Sequence, residues 1–120
     1  MAKAVAIAFA GTHCSLEIWR PDVGVVVAIF DGCDIGEFGE APFRELDADL
    51  ATGEPLELFI DARKAIGPSI EVSGGWAQWM MAHRAQLHRV HIVCTTRLVE
   101  ISAHFVRRFT QFGPRMHLLE

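Results

Sequence analysis

The stretch Leu56–Trp79, LELFIDARKAIGPSIEVSGGWAQW, decides how this chain folds. An apolar run ends at Asp61, a loop carries Arg63, Lys64, Gly67, Pro68, Ser69 and Ser73, and a Trp-rich segment with helical spacing follows. A strand, a loop and a helix N-terminus in that order set polar groups at the carboxyl edge of a sheet. Open α/β proteins keep their functional sites at that edge.

Working outward, the preceding residues read as three strands and a helix. Residues 4–9 alternate apolar side chains with alanine, and Gly11-Thr12-His13 supplies a turn. Leu16 and Ile18 alternate with Glu17 and Trp19, and Arg20-Pro21-Asp22 marks a second turn. Val23–Phe30 is apolar at almost every position, the pattern of a central strand buried on both faces. A glycine-rich acidic loop, Asp31–Glu40, leads to a helix over about Pro42–Ala51, with Phe43, Leu46 and Leu50 at helical spacing.

Beyond the opening stretch, a second helix is expected from Ser73 to Leu87, with Trp76, Met80, His83 and Leu87 on its apolar stripe. Trp79 and Met81 fall off that stripe, so partial exposure is expected for both. Val90–Cys94 reads as another buried strand. In the third helix Leu98, Ile101, Phe105, Phe109 and Phe112 mark one face, Thr96 is the expected N-cap, and Gly113-Pro114 closes it. Met116, Leu118 and Leu119 suggest a short edge strand. The order βββαβαβαβ implies a single α/β domain with a mixed, mostly parallel sheet, an N-terminal antiparallel hairpin and three helices.

Composition narrows the function. At 120 residues, 51% hydrophobic and 22% charged, the chain is long enough for one buried core and too apolar for disorder. A formal charge of −4 argues against nucleic acid as a partner. The charge is unevenly divided: residues 1–60 hold eleven acids and three bases, residues 61–120 four acids and eight bases. Such a dipolar surface suits a protein partner. Three cysteines without CxxC spacing fit a reducing, cytoplasmic setting, and no apolar run approaches the roughly 20 residues that span a bilayer.

The expected sheet edge gathers three loops and, from them, Asp61, Arg63, Ser69, Ser73, Gly74, Thr95, Thr96 and Arg97 as candidate binding residues. Ser73-Gly74-Gly75 reads either as an N-cap with two glycines relieving crowding or as amides open to a phosphate. Asp61 caps its loop, pairs with Arg63 or Lys64, or serves a site. Asp31, Asp34 and Asp61 could approach a cation, but acids in a Gly-rich loop commonly form Asx turns. The six histidines show no zinc frame, Cys33 sits between two acids, Cys94 lies in an apolar strand, and no serine-hydrolase elbow is present. The sequence therefore offers no catalytic set, no metal site and no cofactor motif, and a non-enzymatic role is the expectation.

The order of elements, with LELFIDAR, the loop through Ser73, WAQWMMAHR and RVHIVCTT, resembles the STAS-type domains. These are the fold of bacterial anti-sigma-factor antagonists, and the likeness is to a divergent branch related to the SEC14-like lipid-transfer fold. The resemblance implies a small regulatory module that binds a protein partner, sometimes switched by phosphorylation of a serine at the start of the second helix. Antagonists carry Asp-Ser-Ser-Gly after the strand, whereas this chain has Asp61-Ala62-Arg63, so Ser69 and Ser73 are the candidate phosphosites. A small-ligand binder, of a lipid between helices or of a nucleotide phosphate, is the alternative. The edge strand and Trp79 would permit a homodimer without requiring one.

Overall fold

A computed structural model describes residues 6–119 of the chain. In order, the elements are β1 (Ala6–Ala10), β2 (Cys14–Asp22), β3 (Val25–Gly32), α1 (Ala41–Leu50), β4 (Leu56–Ala65), α2 (Ile70–Ala82), β5 (Leu87–Cys94), α3 (Arg97–Thr110) and β6 (Met116–Leu119). Residues 4 and 5 of the first expected strand lie outside the described residues. One six-stranded sheet runs β1 to β6 in chain order. The β1–β2 and β2–β3 pairs are antiparallel, and β3 to β6 are parallel.

A sheet whose strand order follows chain order, built with right-handed crossovers, carries all its helices on one face. Burial follows that rule. Val26, Ala28 and Phe30 of β3, Leu58, Ile60 and Ala62 of β4, and Val90, Ile92 and Cys94 of β5 are buried beneath the helices. Their alternates Val25, Val27, Ile29, Phe59 and Val93 are only half-buried. The expectation that β3 is covered on both faces is therefore corrected. The fold has two layers, and among the described residues no helix lies on the outer sheet face.

The core closes between that sheet and α1–α3. Leu16, Ile18, Leu46, Leu58 and Leu87 are fully buried, each side chain contributing about 2 kcal/mol of transfer free energy. Arg20 anchors α1 to β2: its Nε donates to Asp49 Oδ1 at 2.8 Å and its Nη2 to Glu45 Oε1 at 3.0 Å. Trp76 meets Phe30 and Phe43 edge to face.

Several boundaries differ from the sequence reading. β4 continues five residues past Ile60, because Asp31 and Gly32 pair with Lys64 and Ala65 beyond a register shift. Asp61, Arg63 and Lys64 thus stand on the strand rather than in a loop. α2 begins at Ile70, capped by Ser69, and ends at Ala82, so Leu87 opens β5 opposite Leu56. Trp79 is buried, donating from Nε1 to Asp47 Oδ1 at 2.9 Å, while Met81 is exposed as expected. His83 is the half-buried C-cap of α2 and not a core residue.

The largest difference concerns α3. The face it buries is Val99, Ala103, Val106 and Thr110. Leu98, Ile101, Phe105 and Phe109, the stripe marked by its large side chains, are 59%, 57%, 49% and 43% exposed. Phe112 is buried, but it lies past the helix end, where Gln111 turns the chain in the left-handed conformation.

Candidate functional site

Three parallel strands end at one edge, and backbone hydrogen bonds stitch their loops together. Ile66 N–H donates to Gly32 O at 2.9 Å and Ser69 N–H to Asp34 O at 2.9 Å. The Cys33 thiol donates to Gly67 O at 3.0 Å, and the Thr95 hydroxyl to Arg63 O at 3.0 Å. Gly67 adopts a φ of +151°, a conformation that residues with a Cβ rarely take, and so lets this loop seat against Leu98 in the first turn of α3. Glu37 holds the loop after β3 to the β1–β2 turn by accepting from Thr12 N–H at 2.8 Å and His13 N–H at 2.9 Å.

The candidate residues reach this edge by different routes. Asp61 and Arg63 alternate onto the outer sheet face, paired through two bonds of 2.9 and 2.8 Å. The Arg63 guanidinium holds the Asp61 carboxyl below the ordinary carboxylate range. Between them Ala62 points inward and is buried. Ser69, half-buried, caps α2 by accepting from Val72 N–H at 3.2 Å. Ser73 lies within the helix, buried, its hydroxyl 2.6 Å from that of Ser102 on α3. Gly74 stands a turn inside α2, where its N–H belongs to the helical ladder, so no row of free amides faces a phosphate there. Thr96 caps α3, accepting from Val99 N–H at 3.3 Å, and Thr95 and Arg97 are exposed beside it.

The acids do not converge. Asp34 is buried on the helix side, accepting from Gly36 N–H at 2.9 Å, and desolvation pushes its carboxyl upward. Asp61 occupies the opposite face of the sheet. Among the described residues no three His, Cys, Asp or Glu are placed to share a metal ion. Cys14 and Cys94 are buried, and burial first, then Asp34, raises the Cys14 thiol to about 11. That is the opposite of nucleophile activation.

Of two further features, the sequence reading met the first only as an alternative, a ligand between helices, and missed the second. The first is an apolar cavity of about 90 Å³ between the sheet, α2 and α3, with Ile60, Ala62, Trp76, Met80, Ala103 and Val106 on its wall. The second is exposed apolar surface: Ile66 is 63% and Ile70 88% exposed on either side of the loop residues 67–69, and Leu98 of the α3 stripe lies beside Gly67. On the outer sheet face, Trp19, Val27, Phe59, His91 and His117 form one cross-strand row. There His91 Nε2 lies 2.6 Å from Glu57 Oε2 and its ring stacks on Phe59. The period-two pattern of β4 and β5 foreshadowed that row.

The architecture matches solved structures over the whole chain. An uncharacterised protein of the DUF3478 family from Shewanella loihica PV-4, with a SpoIIAA-like fold, superposes with a TM-score of 0.65 at 19% identity, covering 100% of this chain and 91% of that one. The fold is of STAS type. An anti-sigma factor antagonist from Mycobacterium paratuberculosis superposes with a TM-score of 0.51 at 13% identity, covering 96% of this chain and 86% of that one. No family model matches the sequence, and no curated protein matches it. The STAS-type frame accounts for the N-terminal hairpin, the strand order and the helices gathered on one face. Among the described residues no helix is long and apolar enough to cross a membrane.

Proposed function

We propose that this STAS-type domain is a non-enzymatic regulatory module that docks a protein partner on the carboxyl edge of its sheet and the adjoining outer face of α3. The observation that carries this reading is the exposure of Ile66, Ile70, Leu98, Ile101, Phe105 and Phe109, with Leu98 lying beside Gly67 of the loop edge and Phe105 stacked on Phe109. Large apolar side chains flanked by charged and polar groups are the composition of a protein interface. Arg63 and Arg97 add exposed positive charge at the loop edge, and the likeness to an anti-sigma factor antagonist supports a partner of regulatory kind.

A phosphate switch, if the partner uses one, falls on Ser69. Its side chain is half-buried at the α2 N-terminus, while Ser73 is buried against Ser102. A phosphate on Ser69 would gain from the helix dipole and disturb the apolar contact beside Ile70.

The test is binding by purified components, once a partner is recovered from cells and identified. Phe105→Glu with Phe109→Glu should weaken the complex at least a hundredfold while the fold persists. Arg63→Glu and Ser69→Glu should weaken it about tenfold, roughly 1.4 kcal/mol. Affinity unchanged by all of these would sink the assignment.

A further inference from the structure

The outer sheet face is the other large apolar area of the domain. Val27, Ile29, Phe59 and Val93 stand on it side by side, with Trp19 next to them on β2. The polar side chains among them are satisfied within the sheet. Trp19 Nε1 donates to Glu17 Oε1 at 3.0 Å, His91 Nε2 lies 2.6 Å from Glu57 Oε2, and Arg63 bonds both oxygens of Asp61. His91 is only 8% exposed, although among the described residues no helix covers it. Groups already paired lose little when water leaves, so this face can be covered at low desolvation cost.

Charge on the face is divided by the topology. Because strand order follows chain order, the acid excess of residues 1–60 and the base excess of residues 61–120 do not interleave across the sheet. Among the described residues, the outer face of β1–β3 carries Glu17 and Asp31 and no base, since Arg20 turns inward to Asp49. The outer face of β4–β6 carries Arg63 and Arg89 beside two acids, Glu57 and Asp61, that are already engaged. Asp31 and Arg89 are exposed, and neither is in an ion pair among the described residues. Arg63 holds Asp61 through Nε and Nη2, which leaves Nη1 for another acceptor.

We infer that the outer sheet face is a self-association surface, covered by a second copy of this chain about a two-fold axis parallel to the strands, between β3 and β4. Such an axis lays the acidic half of each copy over the basic half of the other, which is the self-complementarity an isologous dimer needs. Trp19, Val27, Phe59 and His91 lie in one row, so the axis sets Val27 on Phe59 and Trp19 on His91, each twice. At the level above, Asp31 meets Arg63 Nη1. Strand spacing and rise make the face roughly 24 by 20 Å, about 500 Å² in projection and more as accessible surface, near the ~600 Å² per partner at the lower end of stable interfaces. The helices lie on the opposite face, so the dimer leaves the outer side of α3 open for docking.

The experiment is sedimentation equilibrium of the purified chain from about 1 to 200 µM, where the mass should rise from that of the monomer to twice that value. Val27→Arg, present twice across the axis, should raise the dimer dissociation constant roughly a hundredfold with the melting temperature of a folded domain. If that variant does not fold, Trp19→Glu serves the same purpose. Asp31→Arg and Arg63→Glu each set like charges across the axis and should weaken self-association about tenfold. An equimolar mixture of those two variants restores opposite charges at both contacts and should form a heterodimer as tight as the parent. A monomer at every concentration, a dimer indifferent to both Val27→Arg and Trp19→Glu, or a mixture no tighter than its components overturns the inference. Because Val27 is remote from α3, partner capture by Val27→Arg should match the parent, so the docking proposal and this one stand or fall separately.

Discussion

The two long faces of α3 are built in opposite senses. Inward it presents Val99, Ala103, Val106 and Thr110, with an unfilled space beyond them; outward it presents Leu98, Ile101, Phe105 and Phe109. In a helix whose only task is to close a core, the bulky side chains go inside. Here the residues worth most on burial stay in water and the small ones line a void. Stability alone does not favour that arrangement, so the difference marks α3 as the element through which the domain meets other molecules.

Single substitutions separate the faces, and the inner one carries the largest effect. Val106→Asp places a charge where no partner exists and should destabilise the fold by about 3 kcal/mol or more, read from urea unfolding. Phe105→Asp, one residue away, should leave the unfolding midpoint within about 0.5 kcal/mol of the parent. Equal losses at both positions would erase the distinction. Thr96→Ala removes the cap that starts both faces and should cost about 1 kcal/mol.

A smaller effect concerns Asp34, beside the void. Burial raises its carboxyl in the folded state, so the native protein holds that proton more tightly than the unfolded chain. Its contribution to stability falls as pH rises through the raised value and recovers in acid. Asp34→Asn keeps an acceptor for Gly36 N–H and should raise the melting temperature at neutral pH, with the gain vanishing below the carboxylate range. A gain of equal size at acid and neutral pH would assign the effect to packing instead. Asp61 has the opposite sign: held low by Arg63, it supports the fold above the unfolded carboxylate value and loses that support in acid. Its effect should be the smallest of these, because Arg63 is open to solvent and the pair is screened.

These contrasts also separate what is legible in the residues alone from what only the fold decides. The strand–loop–helix reading of Leu56–Trp79 held because period-two and helical spacing are local signals, and the N-cap at Thr96 was legible for the same reason. The orientation of α3 was not. Its apolar residues occupy two adjacent faces, and spacing alone points to the bulkier one. Only the crossovers and the neighbouring α2 decide which face is covered. The start of α2 was misplaced because Ser73-Gly74-Gly75 imitates a helix entry, while the working cap is Ser69, just after Pro68. β4 outran its expected end because Asp61, Arg63 and Lys64 are polar, yet pairing with Asp31 and Gly32 carries the strand onward. The cavity has no local signature, since it arises from small residues on three separate elements.

The central claim is the orientation of α3, and thiol labelling tests it most directly. In a Cys33→Ser background, Phe105→Cys and Val106→Cys variants can be reacted with a thiol reagent under native conditions at low protein concentration. The orientation described predicts that position 105 labels as fast as an unstructured thiol, while position 106 is slowed by roughly a thousandfold or more, reacting only on opening. Fast labelling at 106 with protection at 105 would mean that the helix is turned the other way, and the docking face with it.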